Sequence, residues 1–147
     1  MSPVLVDADI LLASEDGCDP DRQARANAWL QLLWERRLGR VSTQVLDEFY
    51  LNATRRLTPP MPAGDARAEV RRYELWRPWR IDHATVESAW ALESRYGLHY
   101  LDCLVVAAAQ HLGCRYLLSA QLPHEGRFGA VQILDPLRTG TEVLDQP

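Results

Sequence analysis

The chain has 147 residues, 47% of them hydrophobic, and its 20 acids and 16 bases leave a formal net charge of −4. That is one domain's worth of core, in which roughly two-thirds of the unfolded surface can be buried. No apolar run approaches the ~18 residues that a bilayer span requires, and "MSPVLVDAD" meets an acid before any leader-like region develops, so the expectation is a soluble, cytoplasmic protein with no membrane partner.

In chain order, "PVLVDAD" is a short β-branched and leucine run ending in acids, which predicts a buried strand with Asp7 and Asp9 at its carboxyl end. Helix follows at "ILLAS". After the polar loop "EDGCDPD", with Asp21 as N-cap, "RQARANAWLQLLWERRL" predicts a helix that turns Ala28, Leu32 and Leu33 to one face and is stopped by Gly39. "RVS" is predicted as a strand. "TQVLDEFYLNATRRL" is predicted as a helix capped by Thr43, with Val45, Leu46, Phe49 and Ala53 on one buried stripe. "TPPMPAG" breaks the chain before an amphipathic helix over 65–76. "WRI" reads as a strand, and "DHATVESAWALESRYG" as a helix opened by Asp82 and closed by Gly97. "GLHYLDCLVVAAAQHLG" is a further helix with Asp102 at its head; "CRYLLS" is a strand, "AQLPHEGRFG" a polar turn and "VQIL" a last strand. No repeat or linker divides the chain, so a single domain is expected.

Short apolar strands alternating with helices predict an α/β fold, a mostly parallel sheet between helical layers. In such sheets, functional groups gather where strands end and helices begin. Asp7 and Asp102 fit that rule, and Glu48 lies within its helix beside the apolar stripe. Singly, Asp7 and Asp102 read as helix caps and Glu48 as a solvated residue. Together, three carboxylates on apolar ground repel one another unless a cation joins them, and an oxygen-only set suits Mg²⁺ or Mn²⁺ with water completing the shell.

All sixteen basic residues are arginine, and seven of them fall between positions 55 and 80. A GC-rich coding bias explains the absence of lysine; a functional reading is that guanidinium forks suit phosphate better than ammonium does. The negative net charge opposes a nucleic-acid partner, but the arginine-dense region is locally basic. Cys18, Cys103 and Cys114 lack zinc-site spacing and read as reduced thiols. The four histidines are scattered, and the five tryptophans read as core or subunit contacts rather than base stacks.

The order "VLVDAD", "VSTQVLDEFYLNATRR", "YGLHYLDCLVVAAAQHLGCRYLLS" and "GRFGAVQILDP" resembles the PIN-domain superfamily and, within it, the VapC-type toxin ribonucleases of bacterial toxin–antitoxin pairs. The resemblance covers about residues 4–136, leaving 137–147 as a C-terminal tail. It implies a three-layer α/β/α sandwich with a sheet of four to five strands. It also implies a Mg²⁺- or Mn²⁺-dependent endoribonuclease whose first acid matches Asp7, whose helix glutamate matches Glu48, and whose third acid matches Asp102. The family often has acids directly after the strand resembling "YLLS", where this chain has Ser119-Ala120-Gln121-Leu122. That departure puts a second metal and full activity in doubt; Asp9, Glu125 and Asp135 are candidates to compensate, and Ser119 to hold a metal-bound water.

The resemblance implies further that Arg55, Arg56 and Arg127 hold phosphates flanking the cut, that transfer RNA is the favoured substrate class, and that the chain forms a homodimer inhibited by a small antitoxin. The alternative is a catalytically weakened PIN-like domain that binds RNA or a partner protein without cutting. Haloacid-dehalogenase phosphotransferases and phosphoacceptor receiver domains share the acidic strand end, but both rely on a lysine that this chain lacks.

Overall fold

A computed structural model describes residues 2–147. The sheet grows outward from β1 (Val4–Val6), whose three side chains are fully buried, as a strand between two helical layers must be. β1 pairs in parallel with β2 (Gly39–Arg40) on one side and with β3 (Tyr116–Leu118) on the other. β3 pairs in parallel with β5 (Val131–Leu134), and β4 (Arg127–Phe128) closes the edge antiparallel to β5, giving the order β2-β1-β3-β5-β4. The mostly parallel α/β architecture expected from the alternation of strands and helices is therefore present.

Helices α1 (Ala8–Glu15) and α2 (Pro20–Arg36) connect β1 to β2. Between β2 and β3 lie α3 (Thr43–Arg55), α4 (Ala63–Tyr73), α5 (His83–Tyr96) and α6 (Tyr100–His111). α1 packs against α2 and α3, and α3 against α4; α5 pairs with α6, which lies on β3 and β5. Seven consecutive residues of α6, Cys103 to Ala109, are buried, which explains why that helix is apolar on every side.

Several local expectations are corrected. α2 is capped by Asp19, whose side chain accepts from Arg22 N, with Pro20 directly after it, rather than by Asp21; proline suits the first helical position, where no donor is needed. Its buried face is Ala26, Trp29, Leu30 and Leu33, while Ala28 is exposed and Leu32 only half-buried. The helix stops at Arg37, which takes the left-handed conformation (φ 57°), and Gly39 belongs to β2. Ser42, not Thr43, caps α3 by accepting from Val45 N at 3.2 Å; the Thr43 hydroxyl instead accepts from Ile81 N. The helix predicted over 65–76 begins earlier and ends as a 3-10 turn, Glu74–Trp76. "WRI" makes a single bridge, Ser42 to Trp79, in place of a strand. The stretch "AQLPHEGRFG" contains β4, because Arg127 and Phe128 find partners in Gln132 and Val131.

The last eleven residues also fold back. The Trp29 indole donates to the Thr139 carbonyl at 2.9 Å, and Leu144, in a 3-10 segment (Thr141–Asp145), is 5% exposed.

Candidate active site

The strand order reverses between β1 and β3: the chain leaves β1 toward β2 and leaves β3 toward β5. The crevice at such a switch point, beyond the carboxyl ends of the strands, is where α/β sheets place their ligands. Val6 and Leu118 are register partners, so the next residues on each strand, Asp7 and Ser119, stand side by side at that crevice.

Asp7 is the N-cap of α1 and only 3% exposed. Its amide donates to Leu118 O at 2.9 Å, its Oδ1 accepts from Ala8 N at 2.8 Å, and its Oδ2 accepts from the Ser119 hydroxyl at 3.0 Å. Burial pushes its pKa up to about 7, with the charges of Asp9 and Asp102 acting in the same direction and the two hydrogen bonds opposing them. Ser119 is fully buried, and its Oγ also accepts from Gln121 N and Leu122 N, both at 3.2 Å. A hydroxyl has one hydrogen and two lone pairs, all now engaged. Ser119 therefore orients Asp7 and braces the following turn, and has no lone pair left for the metal-bound water that the resemblance assigns to it.

Glu48 is half-buried on the flank of α3, and its pKa is raised by burial first, with Asp7, Asp102 and Asp47 adding to the rise. The Gln44 amide nitrogen lies one turn back and bridges two elements, donating to Glu48 Oε1 at 3.3 Å and to Leu101 O of α6 at 2.9 Å. That bridge ties the Glu48 flank of α3 to the start of α6, where Asp102 sits in the first turn. The helix is capped by His99, whose Nδ1 accepts from Leu101 N, so Asp102 is not the cap. Burial raises its pKa, and His99 opposes the rise. A carboxylate in a helix's first turn is otherwise favoured by the unpaired N–H groups there, which leaves its oxygens free to face the crevice.

At the departed fourth position, Asp9 Oδ2 accepts from Ala120 N at 2.9 Å, so Asp9 holds the loop that lacks the family's acids. Burial pushes Asp9 up to about 6, opposed by Arg22 and reinforced by Asp135. Of the other compensating candidates, Asp135 Oδ1 accepts from Leu137 N, and Glu125 is exposed and near His124. Among the described residues, no group of three or more His, Cys, Asp or Glu side chains is close enough together to ligate one ion directly. Asp7, Glu48 and Asp102 feel one another's charge but are not a closed cage. As oxygen-only donors whose raised pKa values reflect burial and mutual repulsion, they fit a hard divalent cation that keeps part of its water.

The arginines divide. Arg56 caps the end of α3 and lines a cleft shared with Asp9 and Asn52; Arg55 is exposed one residue earlier. Arg127 is on β4, two strands from β3 and level with Tyr116 rather than with Ser119, so it is not brought to the crevice. Gln44 and Arg22 were not singled out in sequence. The four-residue spacing of Gln44 and Glu48 on one helix was a usable signal, whereas nothing local marks Arg22, which reaches Asp9 only through the docking of α2 on α1.

A family model of the PIN domain matches residues 4–120. Among solved structures, the Mycobacterium tuberculosis toxin VapC20, described as cleaving the sarcin–ricin loop, is similar in fold. The TM-score is 0.63 at 21% identity, over 80% of this chain and 91% of that one. No curated protein matches the chain in sequence.

Proposed function

The chain belongs to the PIN domain family, and from that premise we propose that it is a divalent-metal-dependent endoribonuclease, the toxin half of a toxin–antitoxin pair. The observation that carries this reading is Asp7: a buried carboxylate at the sheet's switch point, oriented by two hydrogen bonds, and facing other carboxylates rather than an ion-pair partner. Held for structure alone, such a group would cost stability at neutral pH.

Asp7, Glu48 and Asp102 would hold the ion. A bound Mg²⁺ or Mn²⁺ supplies polarisation of the scissile phosphate and a nucleophilic water near neutral pH. Ser119 and the Ala8 N–H keep Asp7 in one orientation. Gln44 keeps Glu48 from swinging away and sets its distance from α6. Arg55 and Arg56, at the end of the helix that carries Glu48, supply guanidinium forks for flanking phosphates. Transfer RNA and the sarcin–ricin loop cleaved by VapC20 are the two substrate classes to assay. A small antitoxin and homodimerisation complete the proposal. Exposed Trp90 and Tyr96 on α5 and Leu101 on α6 are apolar surface of the kind that protein contacts cover.

One observation favours a second reading, in which the domain binds RNA without cutting it: Ala120 and Gln121 replace the family's acids, and Asp9 is engaged in holding that loop. A single experiment separates the two. Purified protein is incubated with total tRNA and rRNA under Mg²⁺, Mn²⁺ or EDTA, beside Asp7→Asn and Asp102→Asn. Discrete cuts that vanish in EDTA and in both variants are expected. Folded protein that binds RNA and leaves it intact under every metal overturns the nuclease reading in favour of the binder.

A further inference from the structure

Beside the carboxylates lies a second cleft of about 240 Å³, formed where α1, the first turn of α2 and the end of α3 meet. It is continuous with the site at two points. Asp9 is two residues beyond Asp7 and holds Ala120, the neighbour of Ser119. Asn52 is one helical turn, about 5.4 Å, beyond Glu48, and its side-chain amide donates to the Glu48 carbonyl at 2.8 Å.

Two polar atoms in this cleft are buried without partners: Asp9 Oδ1, an acceptor, and Arg22 Nε, a donor. The Arg22 guanidinium acts on the Asp9 carboxylate electrostatically, yet the two form no hydrogen bond. Leaving such atoms unpaired costs about 1–3 kcal/mol each, so an occupant that satisfies both would be held well. It must offer a donor and an acceptor together. A phosphate offers only acceptors and would be repelled by Asp9. A divalent cation would be repelled by Arg22. The edge of a nucleobase carries donors and acceptors side by side, and its planar face suits the apolar Leu12 and Leu57 and a guanidinium such as Arg56, all of which line the cleft.

We propose that this cleft is a base-reading subsite: it takes the base of a nucleotide next to the scissile phosphate, with Asp9 Oδ1 accepting from that base and Arg22 Nε donating to it. The inference rests on the nuclease reading, and it makes Asp9 and Arg22 specificity residues rather than catalytic ones. It gives the loop-holding Asp9 a second use, since one oxygen is spent on Ala120 and the other remains for the ligand.

The test is equilibrium binding of fluorescein-labelled single-stranded oligo-A, oligo-C, oligo-G and oligo-U to the full chain in EDTA, where no cutting interferes. Asp9→Asn and Arg22→Gln are measured beside the wild type. Asp9→Asn keeps an oxygen for Ala120 N while replacing the free acceptor with a donor, so the fold is retained and the recognised edge is inverted. The wild type is expected to prefer one base at least tenfold. Asp9→Asn is expected to change which base is preferred, and Arg22→Gln to flatten the preference. Equal affinity for all four oligonucleotides, or a preference that both variants leave intact, overturns the subsite and assigns the two atoms to a bridging water. That result leaves the nuclease reading standing if metal-dependent cuts are seen in the RNA-pool assay. Base-selective binding without any cutting sinks the nuclease reading and retains the subsite.

Discussion

Asp7 carries a pH dependence whose sign follows from its surroundings. Its pKa is pushed from 3.8 to about 7 by burial and by neighbouring carboxylates, so the folded chain binds that proton more tightly than the unfolded one. The stabilisation is complete below about pH 4, is lost as pH rises through 4–7, and is absent above. In EDTA, wild-type protein is therefore expected to melt at a lower temperature at pH 8 than at pH 5. Asp7→Asn should remove on the order of 2 kcal/mol of that difference, the remaining slope belonging to Asp9, raised to about 6. Adding Mn²⁺ at pH 8 should restore the wild type and leave Asp7→Asn unmoved, since only a ligand of the folded state raises stability. Parallel pH curves for the two proteins would refute this account of Asp7. Ser119→Ala would strip Asp7 Oδ2 of its donor and two backbone N–H groups of their acceptor. Mn²⁺ affinity, read by titration, is expected to fall by about 10–100-fold, as when other orienting partners of metal ligands are removed.

At the scale of elements, β2 and the α2–α4 layer meet through one glycine. An added Cβ at Gly39 would overlap the Trp76 indole. That ring is itself held at 4.7 Å from Trp34 and 5.0 Å from Tyr73, with the Arg72 guanidinium over both partners. Such a cluster has little room to yield, because packed aromatic rings move as a unit. Gly39→Ala is expected to cost about 1–3 kcal/mol, seen as a lower urea midpoint with an unchanged slope. A neutral outcome would show that the cluster repacks freely. The same layer explains why the helix predicted over 65–76 is broken: turning Trp76 under β2 needs the 3-10 turn and the left-handed Arg77 (φ 53°).

For the whole molecule, the PIN match ends at residue 120, but the buried core does not. β5 completes the sheet, and Leu144 and Thr139 close over Trp29. A chain ending at residue 136 would expose the Trp29 face of α2 and leave its indole N–H unpaired. A loss of about 3 kcal/mol is expected from these two effects. Urea unfolding of the shortened chain checks it, and an unchanged midpoint would mean the terminal residues add nothing to the core. The surface ion pair of Arg36 with Asp145, at 2.9 Å, is a minor part of this, since exposed pairs contribute little.

Much of the fold was legible in the letters because its signals are local. The run "VLV", the Val45, Leu46, Phe49 and Ala53 stripe, and the Asp82 and Gly97 ends of α5 each follow from periodicity or capping within a few residues. The three carboxylates were legible for a related reason: strand ends and helix starts are marked by composition, and the order of the acids resembles a family. Errors fell where a nearby competitor does the same job, as with Asp19 over Asp21 and Ser42 over Thr43, or where a strand depends on a distant partner, as with β4 and "WRI". Only the tertiary structure decided what surrounds each acid. It spent the Ser119 hydroxyl on Asp7 and its own turn, placed Gln44 between two helices, moved Arg127 away from the crevice, and set Arg22 opposite Asp9. Those are contacts between residues far apart in the chain, and they exist only once the apolar faces have docked.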